Sequence, residues 1–265
     1  MNAQTTPFGS SIAKRFTLPT WTWLLAALAG LIPAAPALAG SFSVTPVRIY
    51  MGLRDRAVAI TITNEGDTPI ALQADINVWS QKSDGTDELV LTEDMVLSPP
   101  IIKLAPQARQ VVRLALLKPA DASRQLTYRL IVREIPEATA PKGNTLEVPI
   151  ALALSMPVFI TPPIAKREMS CELSQAPLQA ALAVTCANTG SAYAQIREIL
   201  MRRVNAANPA NTSVPLARFE GGAYILPGAR KSISLSAAQP VAAGEAVLKV
   251  TYDDGKEQSF NVRLP

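Results

Sequence analysis

The sequence predicts an all-β protein, two β-sandwich domains behind a cleaved export signal, and three observations predict it. Apolar and polar residues alternate with period two along most of the chain, the pattern of half-buried strands. The chain carries 22 prolines and 13 glycines, which suits many short strands and leaves little room for long helices. Its 265 residues are 48% hydrophobic and only 17% charged, a composition that folds rather than stays disordered.

The first 39 residues read as a secretory signal. Lys14 and Arg15 form its positive part, Trp21 to Ile32 its apolar part, and Ala37-Leu38-Ala39 a small-x-small cleavage site before Gly40. The rival, an uncleaved anchor, needs about 20 apolar residues, and Pro33 and Pro36 end this run early. Cleavage leaves 226 residues, enough for two domains, with no membrane insertion afterwards. Removing Lys14 and Arg15 takes the formal charge from +4 to +2. Basic residues are scattered, so nucleic acid is not an expected partner. The chain has no histidine, which excludes Ser-His-Asp and Cys-His catalysis and His-based zinc sites. Cys171 and Cys186 lie 15 positions apart. In an exported protein such a pair forms a disulfide, worth about 3 kcal/mol for a loop of that length. Two Cys without His make a poor metal site, and neither metal nor cofactor is expected.

The strands follow in order. Phe42, Val44, Val47 and Ile49 form a first strand broken by Pro46. Val58, Ile60 and Ile62 form a second, ending at the turn cluster Asn64-Glu65-Gly66-Asp67. Ile70 to Trp79 is a third, closed by Lys82-Ser83-Asp84-Gly85. Val96 to Leu104, with Pro99-Pro100, suits an edge segment; Val111 to Leu116 and Leu126 to Ile135 follow. After a loop at Pro136 to Asn144 comes a long run: Leu146, Val148, Ile150, Leu152, Leu154, Met156, Val158. Seven strands with turns every 8–12 residues mark an immunoglobulin-like sandwich. Thr161-Pro162-Pro163 reads as a hinge, so the domains are expected at 40–162 and 163–265. The second half offers strands at Leu182 to Cys186, Ala194 to Val204, Ala223 to Leu226, Ser232 to Leu235, Ala246 to Tyr252 and Ser259 to Leu264. Asn205 to Asn211 reads as a loop.

The run from Leu146 to Val158 exceeds the usual strand of about 5–6 residues. Pro149 and Pro157 mark it as an edge, since proline cannot donate to a ladder. A long apolar edge invites aggregation unless charge interrupts it, and only Glu147 does so. Either the row is buried in its own domain, or it is kept for a partner by β-strand addition.

These residues resemble a family. Val44-x-Pro46-x-Arg48, Asn64, Pro99-Pro100, Leu104-x-Pro106, Val112-Arg113-Leu114, Tyr128, Arg133-Glu134-Ile135-Pro136 and the closing Pro157-Val158-Phe159 look like the periplasmic pilus assembly chaperones of the chaperone–usher pathway. The Pro-Val-Phe ending resembles the archaic branch. The resemblance implies two immunoglobulin-like domains in a boomerang. It implies that Leu146, Val148, Ile150, Leu152 and Leu154 are donated to a pilin lacking a strand of its own. It also implies that Arg48 anchors the pilin's C-terminal carboxylate. The family's second anchor, a Lys, falls at Pro157, leaving Arg113, Arg129 or Lys166 as substitutes. Arg133 and Glu134 are expected to brace the hinge. The implied partners are pilin subunits and an outer-membrane usher, in the periplasm. An exposed apolar edge also permits a self-capping homodimer.

The alternative is an immunoglobulin-like envelope protein, a minor fimbrial subunit or adhesion module. Such a subunit should carry an alternating N-terminal extension, and Gly40-Ser41 leads almost directly into the first strand. An enzyme is not expected. Asp253-Asp254 and Glu93-Asp94 read as solvated turn residues, and Gly221-Gly222 as a turn rather than a phosphate loop.

Overall fold

Prolines decide which strand joins which sheet. The computed structural model describes residues 42–136, 151–174, 182–204, 214–237 and 239–264. The expected signal, Leu146, Val148, Ile150 and the Asn205 to Asn211 stretch lie outside these residues. β1 (Phe42–Thr45) and β2 (Ile49–Met51) flank Pro46 and enter different sheets. β3 (Ala57–Asn64), β4 (Ile70–Gln81) and β5 (Asp87–Leu91) follow. The expected edge segment at Val96 to Leu104 is two strands, β6 (Met95–Ser98) and β7 (Ile101–Leu104), split by Pro99-Pro100 and again shared between sheets. β8 (Arg109–Leu116), β9 (Leu126–Glu134) and β10 (Ala153–Ile160) complete the first sandwich. One sheet has the order β1-β3-β8-β6; the other runs β2-β10-β9-β4-β5, with β7 also on β4.

The second sandwich holds β11 (Met169–Leu173), β12 (Leu182–Asn188), β13 (Ala194–Arg203), β14 (Ala217–Ile225), β15 (Arg230–Leu235), β16 (Gly244–Tyr252) and β17 (Glu257–Leu264). Its sheets are β11-β12-β15 and β14-β13-β16-β17. Cys171 and Cys186 face each other across β11 and β12, with Cα atoms 4.1 Å apart, and form the disulfide. Gly221 and Gly222 lie inside β14, not in a turn. A Cβ on Gly221 would meet the Phe219 ring at 2.9 Å, and one on Gly222 the Gln195 amide at 3.1 Å.

Alternation in sequence becomes alternation in burial. Ile60, Ile62, Leu72, Leu114, Leu130, Val132 and Val158 are fully enclosed in the first core. Val184, Ile196, Ile199, Met201, Leu248 and Val250 are enclosed in the second. Each such side chain contributes about 1.5–3 kcal/mol. Two strands escaped the sequence reading, for different reasons. In β5 no residue is buried, so no alternation exists. β11 is short, and its Cys171 belongs to the apolar side.

A third, smaller core joins the sandwiches: Trp79, Phe159 and Leu226, with Tyr193, Tyr224 and Ala229 packed on it. Gln81 donates to Tyr224 O at 2.9 Å and accepts from Leu226 N at 3.0 Å. Gln125 accepts from Tyr193 N at 2.9 Å. Residues 40–265 accordingly form one compact unit.

Candidate functional site: an open strand edge and an arginine cleft

β10 changes character along its length. It runs antiparallel to β9 from Ala153 to Ile160, but meets β2 only over Val158 to Ile160. Before Val158 its second edge has no strand beside it among the described residues. Antiparallel ladders alternate bonded and non-bonded pairs, and Glu134 N donates to Leu152 O at 2.9 Å. Even-numbered residues therefore bond β9, and odd-numbered ones turn their backbone groups the other way. Thr161 N accordingly donates to Met51 O of β2 at 2.8 Å. Ala153 and Ser155 turn theirs to the open edge, and both are exposed. Pro157 falls on this odd phase, so its missing N–H subtracts nothing from the β9 ladder. Leu152 and Leu154 are half-buried on the opposite face, packed at the mouth of the first core.

The outer face of the same sheet carries the cleft. Pro157 pairs with Arg129 of β9, and Arg48 immediately precedes Ile49, the partner of Val158. Arg48, Pro157 and Arg129 thus lie side by side on three neighbouring strands. Both guanidiniums approach one ring of the second sandwich: Arg48 Cζ lies 6.0 Å and Arg129 Cζ 5.6 Å from the centroid of Tyr224. Arg129 also sits 3.8 Å over Trp79. Burial pulls the Arg129 pKa below its ordinary value, yet a guanidinium stays charged at any physiological pH. Burial works against the charge of Arg48 as well, but the Tyr50 hydroxyl, Tyr224 and Asp253 hold its pKa above the ordinary value.

Asp253 reaches across from the turn between β16 and β17. Its Oδ2 accepts from Arg48 Nη1 at 3.0 Å and from the Tyr193 hydroxyl at 3.0 Å. The hydroxyls of Tyr193 and Tyr50 are 2.9 Å apart, and the Tyr193 ring stacks on Phe159 at 4.0 Å. Burial, the Tyr50 hydroxyl and Asp253 together push the Tyr193 pKa up. The cleft beside these groups is also lined by Gly52, Asp55 and Thr161.

Several expectations change here. Asp253 is not solvated, its side chain keeping 12% of its exposure, whereas Asp254 is exposed as expected and pairs with Arg167 at 3.0 Å. Asp94 likewise accepts from the Tyr128 hydroxyl at 3.0 Å and pairs with Lys118. Arg133 does not brace the hinge; it pairs with Asp75 at 2.8 Å within one sheet. Glu134 acts beside it, through the backbone bond to Leu152. Of the three substitute anchors, Arg113 is on β8 of the other sheet and Lys166 pairs with Glu168 on the surface. Arg129 alone shares the face of Arg48. Sequence reasoning missed Tyr193, Tyr224, Trp79 and Asp253. With aromatic residues at 5% of the chain, their gathering had no local signal. Among the described residues no cluster of His, Cys, Asp or Glu could hold a metal ion.

Comparison with known proteins places this arrangement. A chain of the chaperone–tip adhesin complex CsuC–CsuE from archaic Csu pili of Acinetobacter baumannii matches with a TM-score of 0.60 at 16% identity, over 84% of this chain and 98% of that one. A chain of the Salmonella enterica SafA pilin–SafB chaperone complex matches at 0.55 and 15% identity, over 85% and 97%. The Pseudomonas aeruginosa CupB2 chaperone matches at 0.52 and 16% identity, over 84% and 100%. At these identities the likeness establishes the two-sandwich fold. No curated protein matches the sequence. The family model of the pili and flagellar-assembly chaperones, PapD N-terminal domain, matches residues 41–166. Those residues hold β1 to β10, including both the open edge and Arg48, and through them the first sandwich is similar to that domain.

Proposed function

We propose that this protein is a periplasmic chaperone that binds pilin subunits by donating the β10 edge, and hands them to an outer-membrane usher. The observation that carries this reading is the edge from Ala153 to Pro157, open beside a half-buried apolar row. A subunit lacking a strand would gain main-chain hydrogen bonds from Ala153 and Ser155. It would gain apolar side chains from Leu146, Val148, Ile150, Leu152 and Leu154. The first three extend the same alternation upstream, outside the described residues. Each one buried is worth about 1.5–3 kcal/mol, and pairing the edge blocks aggregation. Arg48 would anchor the subunit's terminal carboxylate, with Arg129 as the second cation. The Pro157-Val158-Phe159 ending and the likeness to the archaic Csu complex support the archaic branch. In the free state the same edge is available for a self-capping homodimer.

The test is isolation of the tagged protein from its host's periplasm, with mass spectrometry of what co-purifies. A small β-rich subunit should be held by wild type and lost from Ile150→Asp. Ser155→Pro gives a sharper version. It removes an N–H from the open edge and none from the β9 ladder. It should therefore lose the subunit while melting within a few degrees of wild type. Equal capture by all three proteins would sink strand donation.

A further inference from the structure

The cleft already holds a carboxylate, and it is the protein's own. Resting on the reading above, we infer that Asp253 is the specificity-determining residue of the cleft: an internal occupant that keeps Arg48 until a chain-terminal carboxylate replaces it. Asp253 Oδ2 accepts from both Arg48 Nη1 and the Tyr193 hydroxyl, each at 3.0 Å. That is the donor set a free carboxylate needs, a guanidinium and a hydroxyl converging on one oxygen. The grip comes from a single guanidinium nitrogen, whereas a mobile carboxylate can take the stronger two-pronged geometry. The Arg48 side chain retains 30% of its exposure and faces the open cleft, so an incoming group reaches it.

The surroundings make the exchange local. Asp253 N donates to Gln195 O at 3.0 Å and Gly255 N to Tyr252 O at 3.0 Å, which holds the turn. Release therefore requires a side-chain rotation, not a movement of the sandwich. Asp254 is engaged by Arg167 and Lys256 and does not step in. Arg129 forms no ion pair among the described residues and stacks on Trp79 instead. A ligand carboxylate entering the cleft meets Arg48 and, competing for it, Asp253. An uncharged chain end gains nothing there, so Asp253 sets a threshold that only an anionic terminus passes.

The test uses a short peptide of alternating valine and threonine, as the free acid and as the C-terminal amide, titrated into the full chain. Wild type should prefer the acid. Asp253→Asn keeps the shape and the bond from Tyr193 but removes the charge that holds Arg48. It should tighten the acid by about three- to tenfold and leave the amide unchanged. Asp253→Ser should do the same, and melting curves of both variants establish that they fold. Acid affinity that falls or stays level in both folded variants overturns the inference and makes Asp253 a structural brace. If wild type binds acid and amide equally, the carboxylate reading fails and the inference with it, while strand donation stands. If neither form binds, the proposed function itself falls.

Discussion

Asn64 and Asn188 occupy equivalent corners of the two sandwiches, and both are fully enclosed. Asn64 Nδ2 donates to Thr68 O at 2.8 Å and Ala105 O at 2.9 Å, while its Oδ1 accepts from Gly66 N at 3.0 Å. Asn188 Nδ2 donates to Ala192 O at 2.8 Å and Ile225 O at 3.1 Å, and its Oδ1 accepts from Gly190 N at 3.0 Å. Their backbone amides repeat the pattern, donating to Ala108 O at 2.8 Å and Ala229 O at 2.9 Å. Each thus ties a strand end to the turn after it and to a distant turn, Pro106-Gln107-Ala108-Arg109 in one sandwich and Pro227-Gly228-Ala229-Arg230 in the other. The sandwiches part elsewhere. Among the described residues the first leaves the β10 edge open, whereas the second cross-links its β11 edge with the disulfide. The same corner serves both, so what distinguishes the two sandwiches is how their edges are finished.

Breaking the corners should have the largest effect. Asn64→Ala or Asn188→Ala leaves buried carbonyls without donors, and each should lower stability by about 3 kcal/mol, read by urea unfolding. A loss confined to one sandwich would show that the corners are not equivalent. Next comes the staple. Replacing Cys171 and Cys186 by Ser should lower stability by about 3 kcal/mol or somewhat less, with the loss in the second sandwich. Binding at β10 should survive once the chain is folded, and a parallel loss of binding would tie the two edges together.

Gln81→Ala tests the joint. It removes two bonds to the backbone of Tyr224 and Leu226 and should cost about 1–2 kcal/mol, with the two sandwiches unfolding as separate transitions in calorimetry. The smallest effect belongs to a backbone asymmetry between the corners. Gln107 has φ 57° where Gly228 has φ 80°. The left-handed backbone costs a non-glycine residue about 1–2 kcal/mol. Gln107 recovers part of it by donating to Glu65 O at 3.0 Å and Gly66 O at 3.2 Å. Gln107→Gly should change stability by under about 1 kcal/mol. Gly228→Gln should lower it by about 1 kcal/mol, because a Cβ there meets nothing within 4 Å and backbone strain is all that changes.

Pattern made much of the fold legible. Strands with one buried face announced themselves through alternation, as in Ile60, Ile62 and Leu72. β5 did not, because neither of its faces is buried. The corner residues stood in plain view as turns, Asn64-Glu65-Gly66 and Asn188-Thr189-Gly190. Their equivalence did not. The matching proline comes forty-two residues on in the first sandwich and thirty-nine in the second, with little else shared between.

The site divides the same way. Pro157 pointed correctly to an edge, because a missing donor is a local property. The partner of Arg48 could not be read, since Asp253 lies 205 positions away in a turn whose local pattern, Asp-Asp-Gly-Lys, reads as solvated.

By itself, then, the sequence determined the all-β class, the strand phases, the prolines that part β1 from β2 and β6 from β7, and the cysteine pair. Each follows from backbone and side-chain properties acting over a few residues. The tertiary structure alone decided that, among the described residues, β10 is interior at Val158 and open at Ser155, that Arg48 and Arg129 flank one tyrosine ring, and that an aspartate from the other sandwich pairs with Arg48. Those features depend on long-range strand pairing and on which surfaces two separately patterned sandwiches present to each other, and no short-range periodicity encodes either.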